Sequence, residues 1–308
     1  MKPLVIYHAN CTDGFGAAFA AWLKLGDEAE YRACHYGQEC FQDDETVHNR
    51  EVYILDFSFP RDIMDWLFRD AKRVVWLDHH KTAFEMWIGD VPEKGWICRR
   101  LNCTEDNPSG NVHIELNNNK SGALLAWEYF HPITKVPKLI QHIDDRDRWQ
   151  FKLEGSKELH AALNSAKPWR FEQWEAHFLV GNVRLNALKD EGAAILRAHN
   201  QYVQAALKQA RPSGIKVLLS GDGFAPVLNG LAANAPAFLA SDLGHELANK
   251  SGTFGLVWSM AGDGQVHCSL RSNGEYDVSA IAKAFGGGGH RNAAGFSTDI
   301  DTLMEWLK

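Results

Sequence analysis

The first half of the chain alternates short apolar runs with stretches in which apolar residues recur at helical spacing. Leu4–Tyr7, Val52–Leu55 and Val74–Leu77 are four-residue apolar runs typical of strands. Because every position in them is apolar or aromatic, we expect strands buried on both faces of a parallel sheet. Helical patterns lie between and after them, at Gly14–Leu25, Pro60–Asp70, Ser121–Phe130 and Val136–Ile143. This alternation predicts an α/β fold with a parallel sheet.

The second half of the chain opens on a long Ala-rich helical pattern, Glu191–Arg211, which Pro212–Gly214 is expected to end. We predict a catalytic domain over residues 1–185, a helical linker over 186–214 and a smaller α/β domain over 215–308. The polar stretch Asn102–Asn119 indicates a loop. In the C-terminal domain the pattern predicts strands at Ile215–Leu219, Phe254–Trp258 and Val266–Leu270, then a helix at Val278–Phe285.

Composition excludes several classes of protein. The chain has 308 residues, of which 45% are hydrophobic and 23% charged, so it is neither disordered nor fibrous. Its formal net charge of -7 argues against coating of long nucleic acid, which needs many cationic side chains. No apolar run is long enough to cross a membrane, and the first residues lack a signal-peptide core, so we expect a cytoplasmic protein.

The cysteines do not form a recognisable metal or redox motif. None lies in a C-x-x-C pair, so zinc-ribbon and thioredoxin folds lack support. Free thiols are the expectation for a cytosolic chain of this size. The six residues are Cys11, Cys34, Cys40, Cys98, Cys103 and Cys268.

Acidic and imidazole side chains follow each of the three predicted N-terminal strands. Ligands bind outside the carboxyl ends of parallel strands, so these side chains are expected to share one crevice. Any one of them alone is commonly a helix cap or a hydrogen-bonded surface group. Together they predict a site for two divalent ions, of the kind that acts on phosphorus, and the imidazole and carboxylate donors favour Mn²⁺. The set is His8, Asn10 and Asp13, then Asp56, then Asp78, His79 and His80, with Asp144, Asp145 and Asp147 following a later helix.

The order of these motifs resembles the DHH phosphoesterase superfamily. The triplet Asp78-His79-His80 follows an upstream strand-terminal Asp56, and FGGGGHRNAAGF near the C-terminus is similar to the glycine-rich motif of the DHH-associated C-terminal domain. The superfamily includes RecJ-type exonucleases, nanoRNA hydrolases, cyclic-dinucleotide phosphodiesterases, family II pyrophosphatases and exopolyphosphatases. The resemblance implies a metal-binding DHH domain and a substrate-binding C-terminal domain.

The resemblance also implies roles for single residues. Asp78 is expected to orient the site, and His80 to contact the substrate phosphate. Asp56 resembles the carboxylate that bridges both metals. The expected metal ligands are His8, Asp13, Asp56, His79 and Asp145. If the match to the family motif shifted by one residue, Asp144 would take the place of Asp145.

The first motif departs from the family pattern at Asn10, where an acid is common. The Asn10 carbonyl oxygen could ligate a metal, or its amide could orient a metal-bound water. The loss of one negative charge is expected to weaken the first metal site.

The C-terminal glycine run suits recognition of a phosphate. Glycines adopt positive φ angles and expose backbone N–H groups, and arginine offers bidentate contact to phosphate. By the resemblance, this cluster grips the 5′-phosphate end of a short nucleotide. The expected substrate-binding residues, besides His80, are Arg271, Ser272, Gly287, Gly288, Gly289, His290 and Arg291.

The expected activity is two-metal hydrolysis of short 5′-phosphorylated oligonucleotides, foremost linear dinucleotides such as pGpG or pApA, to mononucleotides. Cyclic nucleotides or cyclic dinucleotides are the alternative substrates, followed by polyphosphate or pyrophosphate. A non-catalytic nucleotide sensor is the alternative outside enzymes. The expected partner is a short nucleotide substrate rather than long nucleic acid or a membrane, and a homodimer is compatible with the sequence.

Overall fold

The computed structural model of the chain describes residues 1–36, 40–41, 47–89, 95–101, 111–179, 182–216, 227–274 and 276–307. These residues divide into two units, Met1–Leu196 and Arg197–Lys308. Within the described ranges, no helix is both long and apolar enough to span a bilayer.

Six strands among the described residues of the N-terminal unit form one sheet. Its spatial order is β2-β1-β3-β4-β6-β5, and every neighbouring pair is parallel except β5 and β6. The predicted parallel sheet is confirmed, and the three strands predicted for it are β1, β3 and β4. The strands are β1 Leu4–His8, β2 Glu30–Cys34, β3 Glu51–Leu55, β4 Arg73–Asp78, β5 Trp96–Leu101 and β6 Asn111–Asn117.

Helices cover both faces of this sheet, which is why its strands read as unbroken apolar runs. Val5 and Leu55 point into a core shared with the first, fourth and fifth helices, whereas Leu4 and Ile54 point into a second core on the opposite face. The helices are α1 Thr12–Leu25, α2 Arg61–Asp70, α3 Lys81–Ile88, α4 Gly122–Phe130, α5 Lys138–Asp147, α6 Ser156–Ser165, α7 Phe171–Leu179 and α8 Asn182–Leu207.

The C-terminal unit has a second sheet, of order β11-β12-β10-β9-β8-β7 among the described residues. Only β8 and β9 pair in parallel. An α/β unit is thus confirmed here as well. Its strands are β7 Arg211–Lys216, β8 Val227–Asn234, β9 Phe254–Met260, β10 Val266–Ser272, β11 Gly288–His290 and β12 Ala293–Thr298, and its helices are α9 Ala240–Ser251, α10 Val278–Ala284 and α11 Ile300–Trp306.

The predictions are wrong at three places: the end of the long helix, the turn at Pro212–Gly214 and the loop at Asn102–Asn119. The long helix α8 ends at Leu207, and Pro212–Gly214 lies within β7, where Ser213 pairs with Gly230 on β8. The Pro and Gly residues therefore sit in a strand of the sheet rather than in a helix-ending turn. The expected loop Asn102–Asn119 contains β6, which pairs with β4. Residues 102–110 of that loop lie outside the described residues. The same holds for residues 217–219 of the strand expected at Ile215–Leu219.

The expectation of free thiols is wrong for two cysteines. Cys34, at the end of β2, and Cys40 are joined in a disulfide. Their Cα atoms are 6.0 Å apart, within the usual span of such a bond. Cys11 and Cys268 are free, Cys98 is exposed, and Cys103 lies outside the described residues.

A close helix contact in the N-terminal unit gives a test of the packing. Gly192 on α8 is buried, and a Cβ there would overlap the carbonyl of Glu158 on α6. Gly192→Ala is expected to lower the free energy of unfolding by about 1–3 kcal/mol, although alanine favours helix, because backbone cannot yield as a side chain can. Urea denaturation followed by tryptophan fluorescence measures this. Glu191→Ala, an exposed neighbour on the same helix, should stay within about 0.5 kcal/mol, and equal behaviour of the two variants would contradict the packing argument.

Candidate metal centre

The carboxyl ends of the central strands carry the predicted residues. His8 is the last residue of β1, Asp56 follows β3 directly, and Asp78 ends β4. These three strands are neighbours in the sheet, and the chain turns from β1 to β2 on one side and to β3 on the other. Such a reversal opens a crevice at the strand ends. The structure therefore brings His8, Asp56 and the Asp78-His79-His80 triplet to one edge, as predicted.

Asp13, in the first turn of α1, connects this edge to the start of α4. Its two carboxylate oxygens accept hydrogen bonds from the backbone N–H groups of Gly122 at 2.7 Å and Ala123 at 2.9 Å. The positive end of a helix stabilises such a buried charge. Gly122 has no room for a side chain, since a Cβ there would lie 2.8 Å from the Cγ of Asp56. The N-terminus of α4 thus positions two carboxylates at once.

The carboxylate of Asp56 faces two sets of donors. Its Oδ2 lies 3.7 Å from Nδ1 of His8, and its Oδ1 lies 3.0 Å from Nε2 of His79. Asp56 is 1% exposed and its φ angle is 54°, a left-handed conformation that non-glycine residues rarely adopt. Such strain persists where the surroundings fix the residue, and it is concentrated at functional sites.

Three groups of potential metal ligands contain or adjoin Asp56 among the described residues, one of them with Asp78 and His80. In the first, donor atoms of His8, Cys11 and Asp56 all lie within 4.8 Å of one another. The second group contains Asp13, His79 and Asp147 within the same limit. Nε2 of His79 lies 3.5 Å from Oδ2 of Asp13 and 3.6 Å from Oδ2 of Asp147. One carboxylate between two ligand groups is the arrangement that a bridging ligand of two cations requires.

The residues fit a pair of divalent cations. Nδ1 of His8 and Oδ1 of Asp56 are buried, and neither forms a hydrogen bond of good geometry among the described residues, although Nε2 of His79 lies 3.0 Å from that oxygen. Leaving buried polar atoms unsatisfied costs free energy, so such atoms in a native site call for an ion or water. Nitrogen and carboxylate donors are ordinary ligands of divalent metals.

The protonation behaviour of the centre supports this fit. Burial raises the pKa of Asp13 well above its ordinary value, and the charges of Asp56 and Asp147 add to that shift. Burial also raises the pKa of Asp147 above its ordinary value. Burial opposes ionisation of Asp56 too, but pairing with His79 and His8 outweighs it, so the pKa of Asp56 falls well below its ordinary value. These carboxylates compete for too little positive charge, a conflict that a bound cation relieves.

Asp78 holds the imidazole of His80. Its Oδ1 accepts from the backbone N–H groups of His79 and His80, at 2.7 and 3.2 Å, and lies 2.7 Å from Nδ1 of His80. Nδ1 of His80 therefore donates to Asp78, and its Nε2 is the nitrogen directed elsewhere. This arrangement agrees with an orienting role for Asp78.

The fourth predicted ligand differs from expectation. Asp145 was predicted in the centre, but its carboxylate accepts from the backbone N–H groups of Lys152 at 2.7 Å and Leu153 at 3.1 Å and from the hydroxyl of Ser156. Asp147, two residues further along α5, lies beside His79 instead. Asp144, the other neighbour, accepts from the backbone of Ser121 at 2.7 Å. Residues two apart on a helix point to different sides, so only one of Asp145 and Asp147 can face the centre.

Asn10 also lies away from the ligand groups. Its side-chain amide contacts Nε2 of His35 at 3.3 Å, and its carbonyl accepts from Nζ of Lys167 at 2.9 Å. The expectation that Asn10 ligates a metal or orients its water is not supported by this position. Its φ angle of 56° turns the chain so that Cys11, the next residue, joins His8 and Asp56. Of the members of these groups, Cys11 was not among the predicted site residues, and Asp147 was in the predicted set but was not expected to be a ligand.

The glycine run of the C-terminal unit forms ordered structure. Gly286 ends α10 with a φ angle of 75°, and Gly288–His290 form the edge strand β11, paired with β12. A Cβ on Gly287 would lie 2.8 Å from the Cα of Phe296, so glycine is needed for the close approach of the two strands. Gly289 has a φ angle of 138°. Packing alone thus accounts for Gly287, and a phosphate role for the run remains a prediction.

The polar residues near this run have structural contacts of their own. The guanidinium of Arg271 donates to the hydroxyl of Ser241 at 2.8 Å. The hydroxyl of Ser272 accepts from the backbone of Gly274 at 3.1 Å and of Tyr276 at 3.2 Å. Arg291 is exposed and donates at 3.4 Å to the carbonyl of Gly274. The hydrogen bond that Arg291 donates is longer than the one that Arg271 donates to Ser241.

Comparison with known proteins identifies the C-terminal unit. The DHHA1 domain family matches residues 228–308. The chain carries a DHHA1 domain, the C-terminal domain of the DHH superfamily. Uncharacterized protein R106 of Acanthamoeba polyphaga mimivirus is 31% identical to this chain over 313 residues, covering 96% of this chain and 67% of that protein.

Two solved structures are similar to this chain at low identity. An uncharacterized protein from Helicobacter pylori G27 is 14% identical, with a TM-score of 0.39, covering 98% of this chain and 94% of that chain. The pGpG-specific phosphodiesterase PggH from Vibrio cholerae is 12% identical, with a TM-score of 0.44, covering 99% of this chain and 96% of that chain.

The two aspartates of α5 give a matched test of the candidate metal centre. Asp147→Asn is expected to weaken divalent-metal binding at least about 10-fold with little effect on thermal stability. Asp145→Asn is expected to leave metal affinity nearly unchanged but to lower the free energy of unfolding by about 1–3 kcal/mol, because three donors lose a charged acceptor. Isothermal titration calorimetry and urea denaturation measure the two effects. Loss of metal affinity in Asp145→Asn alone would show that Asp147 is not the ligand.

Proposed function

We propose that the protein is a divalent-metal-dependent phosphodiesterase that cleaves short 5′-phosphorylated oligonucleotides, foremost linear dinucleotides, to mononucleotides. The observation that carries this proposal is the position of Asp56, whose two oxygens face separate ligand groups. The DHHA1 domain, the C-terminal domain of the DHH superfamily, supports phosphoester hydrolysis as the reaction. The acidic net charge of -7 supports a short substrate, because long strands are bound through many cationic contacts.

The ligand groups define which residues would hold the ions. His8 and Asp56 belong to one position, and Asp13, Asp56, His79 and Asp147 to the other, with Mn²⁺ the ion expected from imidazole and carboxylate donors. When bound, two such ions lower the pKa of water and offset charge on a phosphoryl group. The chain's own residues fix the distance between the two positions through the buried, strained Asp56.

His80 is proposed to contact the substrate phosphate. Its Nδ1 lies 2.7 Å from Oδ1 of Asp78, so Nε2 is the nitrogen that we assign to the contact with a phosphate oxygen. A hydrogen-bond donor held in place stabilises the negative charge that develops on the phosphoryl group. Because Asp78 also accepts two backbone N–H groups, the imidazole is held in place before substrate arrives.

Product analysis tests the proposed substrate class. Purified protein with Mn²⁺ is incubated separately with pGpG, pApA, 3′,5′-cyclic AMP, cyclic di-GMP and polyphosphate, and products are separated by chromatography. Mononucleotide from the linear dinucleotides is the expected result. Turnover of a cyclic substrate alone would replace this proposal with a signalling phosphodiesterase, and orthophosphate from polyphosphate alone would remove the nucleotide assignment. Absence of turnover with metal bound would favour a nucleotide sensor.

The bridging position of Asp56 gives the first mutational prediction. Asp56→Asn is expected to lower kcat at least about 100-fold, because one amide cannot supply two anionic oxygens to two cations. Asp65→Asn makes the same chemical change on the exposed face of α2, where Asp65 pairs with Arg61, and should leave kcat within about twofold. Circular dichroism confirms that both variants are folded. Undiminished turnover in Asp56→Asn would contradict the assignment of Asp56 as the ligand that bridges the two metal positions.

Arg291 gives a prediction for recognition of the substrate end. Arg291→Ala is expected to raise KM for pGpG about 10-fold with little change in kcat, because a charge-assisted hydrogen bond to phosphate contributes about 1.5–3 kcal/mol. The matched substrate GpG lacks the 5′-phosphate, so its KM should not respond. Lys250→Ala removes another exposed cation of the same unit and serves as control. Equal effects of Arg291→Ala on both substrates would exclude contact with the 5′-phosphate.

A further inference from the structure

Cys11 lies in the first ligand group although its sequence context gave no sign of metal binding. It is the residue at the N-cap of α1, and its sulfur lies within 4.8 Å of donor atoms of His8 and Asp56. The residue is half-buried and is not part of a disulfide. The sulfur is therefore close enough to an imidazole nitrogen and a buried carboxylate to share one cation with them.

The spacing of the three donors suits a single cation. In a tetrahedral site with sulfur and nitrogen ligands, donor atoms are separated by roughly 3.5 Å, as follows from metal–ligand lengths of about 2.0–2.3 Å. Nδ1 of His8 and Oδ2 of Asp56 are 3.7 Å apart, and the sulfur of Cys11 completes the group within 4.8 Å. Since Nδ1 of His8 is a buried atom without a hydrogen-bond partner among the described residues, it has a lone pair to offer.

The position in the fold ties a thiolate to a bound cation. Burial and the charge of Asp56 raise the pKa of the Cys11 thiol well above its ordinary value, so the thiol loses its proton there only when a cation is bound. The side-chain amide of Asn10, where the family commonly has an acid, contacts His35, so Asn10 adds no second oxygen donor beside Asp56. The turn at Asn10, with its φ angle of 56°, supplies a sulfur in its place.

We propose that Cys11 is a ligand of the first metal position, together with His8 and Asp56. Binding of a divalent ion forms the metal–sulfur bond and releases the thiol proton to solvent. A thiolate and an imidazole favour borderline ions such as Zn²⁺, Co²⁺ or Fe²⁺ over Mg²⁺ and Mn²⁺. The first position is therefore selective for a softer ion than the position formed by Asp13, His79 and Asp147. This inference rests on the metal centre of the proposed function.

Cobalt spectroscopy tests this assignment without an activity assay. Co²⁺ bound to a thiolate gives a near-ultraviolet sulfur-to-metal charge-transfer band, separate from the visible bands that report bound cobalt of any ligation. The apo full-length protein is titrated with Co²⁺ as wild type, Cys11→Ser, Cys11→Asp and Cys98→Ser. Cys98 is an exposed cysteine of β5 and controls for cysteines outside the centre.

The expected result is a charge-transfer band in wild type and Cys98→Ser that is absent from both Cys11 variants. Zn²⁺ affinity, measured by competition with a chromophoric chelator, should fall at least about 10-fold in Cys11→Ser. Cys11→Asp should keep the visible cobalt bands and bind Mn²⁺ more tightly relative to Zn²⁺, because a carboxylate is a hard ligand. This variant shows that the position still folds around a metal.

Two other outcomes are distinguishable. Visible cobalt bands without a charge-transfer band in wild type, or a band that persists in Cys11→Ser, would remove Cys11 from the ligand set while leaving the metal centre intact. Absence of every cobalt band in wild type, with no cation retained by the protein, would overturn both this assignment and the metal centre on which it rests.

Discussion

A buried negative charge on Asp56 is the constraint on which the rest of the centre depends. Taking a carboxylate out of water is costly unless positive charge and donors surround it. The imidazoles of His8 and His79 approach its two oxygens. Gly122 has no side chain, which allows the N-terminus of α4 to lie against it. The left-handed conformation of Asp56 is stable only because the flanking strands are fixed, so the rigidity of the parallel sheet is what maintains the spacing of the two ligand groups.

Much of this edge could be predicted because a strand determines where its last residue emerges. His8, Asp56 and Asp78 each follow an apolar run, and parallel strands place such residues together. The glycine-rich C-terminal motif likewise indicated a DHHA1 domain, which the match at residues 228–308 confirms. The boundaries of helices and strands were harder to predict. Pro212 and Gly214 favour the end of a helix by local preference, but they lie in β7, where pairing with β8 overrides that preference.

The choice between Asp145 and Asp147 depended on the rotation of a helix, which a motif does not state. Helical spacing carries the missing signal: Ile140 and Ile143 are buried in the core, and Asp147 follows them at positions i+7 and i+4. It therefore continues the inward face of α5. Asp145 lies off that line and caps the backbone of the following segment instead. The periodicity of apolar residues could have placed the ligand where resemblance to a motif did not.

The turn between β1 and α1 could not be predicted in the same way. Whether Asn10 or Cys11 faces the crevice is decided by one backbone angle, and asparagine tolerates a left-handed conformation better than most residues. With Asn10 in that conformation its amide points to His35, and the following sulfur joins His8 and Asp56. A single tolerant residue thereby changes the donor set from oxygen to sulfur. The replacement of an acid at this turn is then an exchange of ligand chemistry rather than a loss of one ligand, and the metal preference of the centre follows from local backbone geometry.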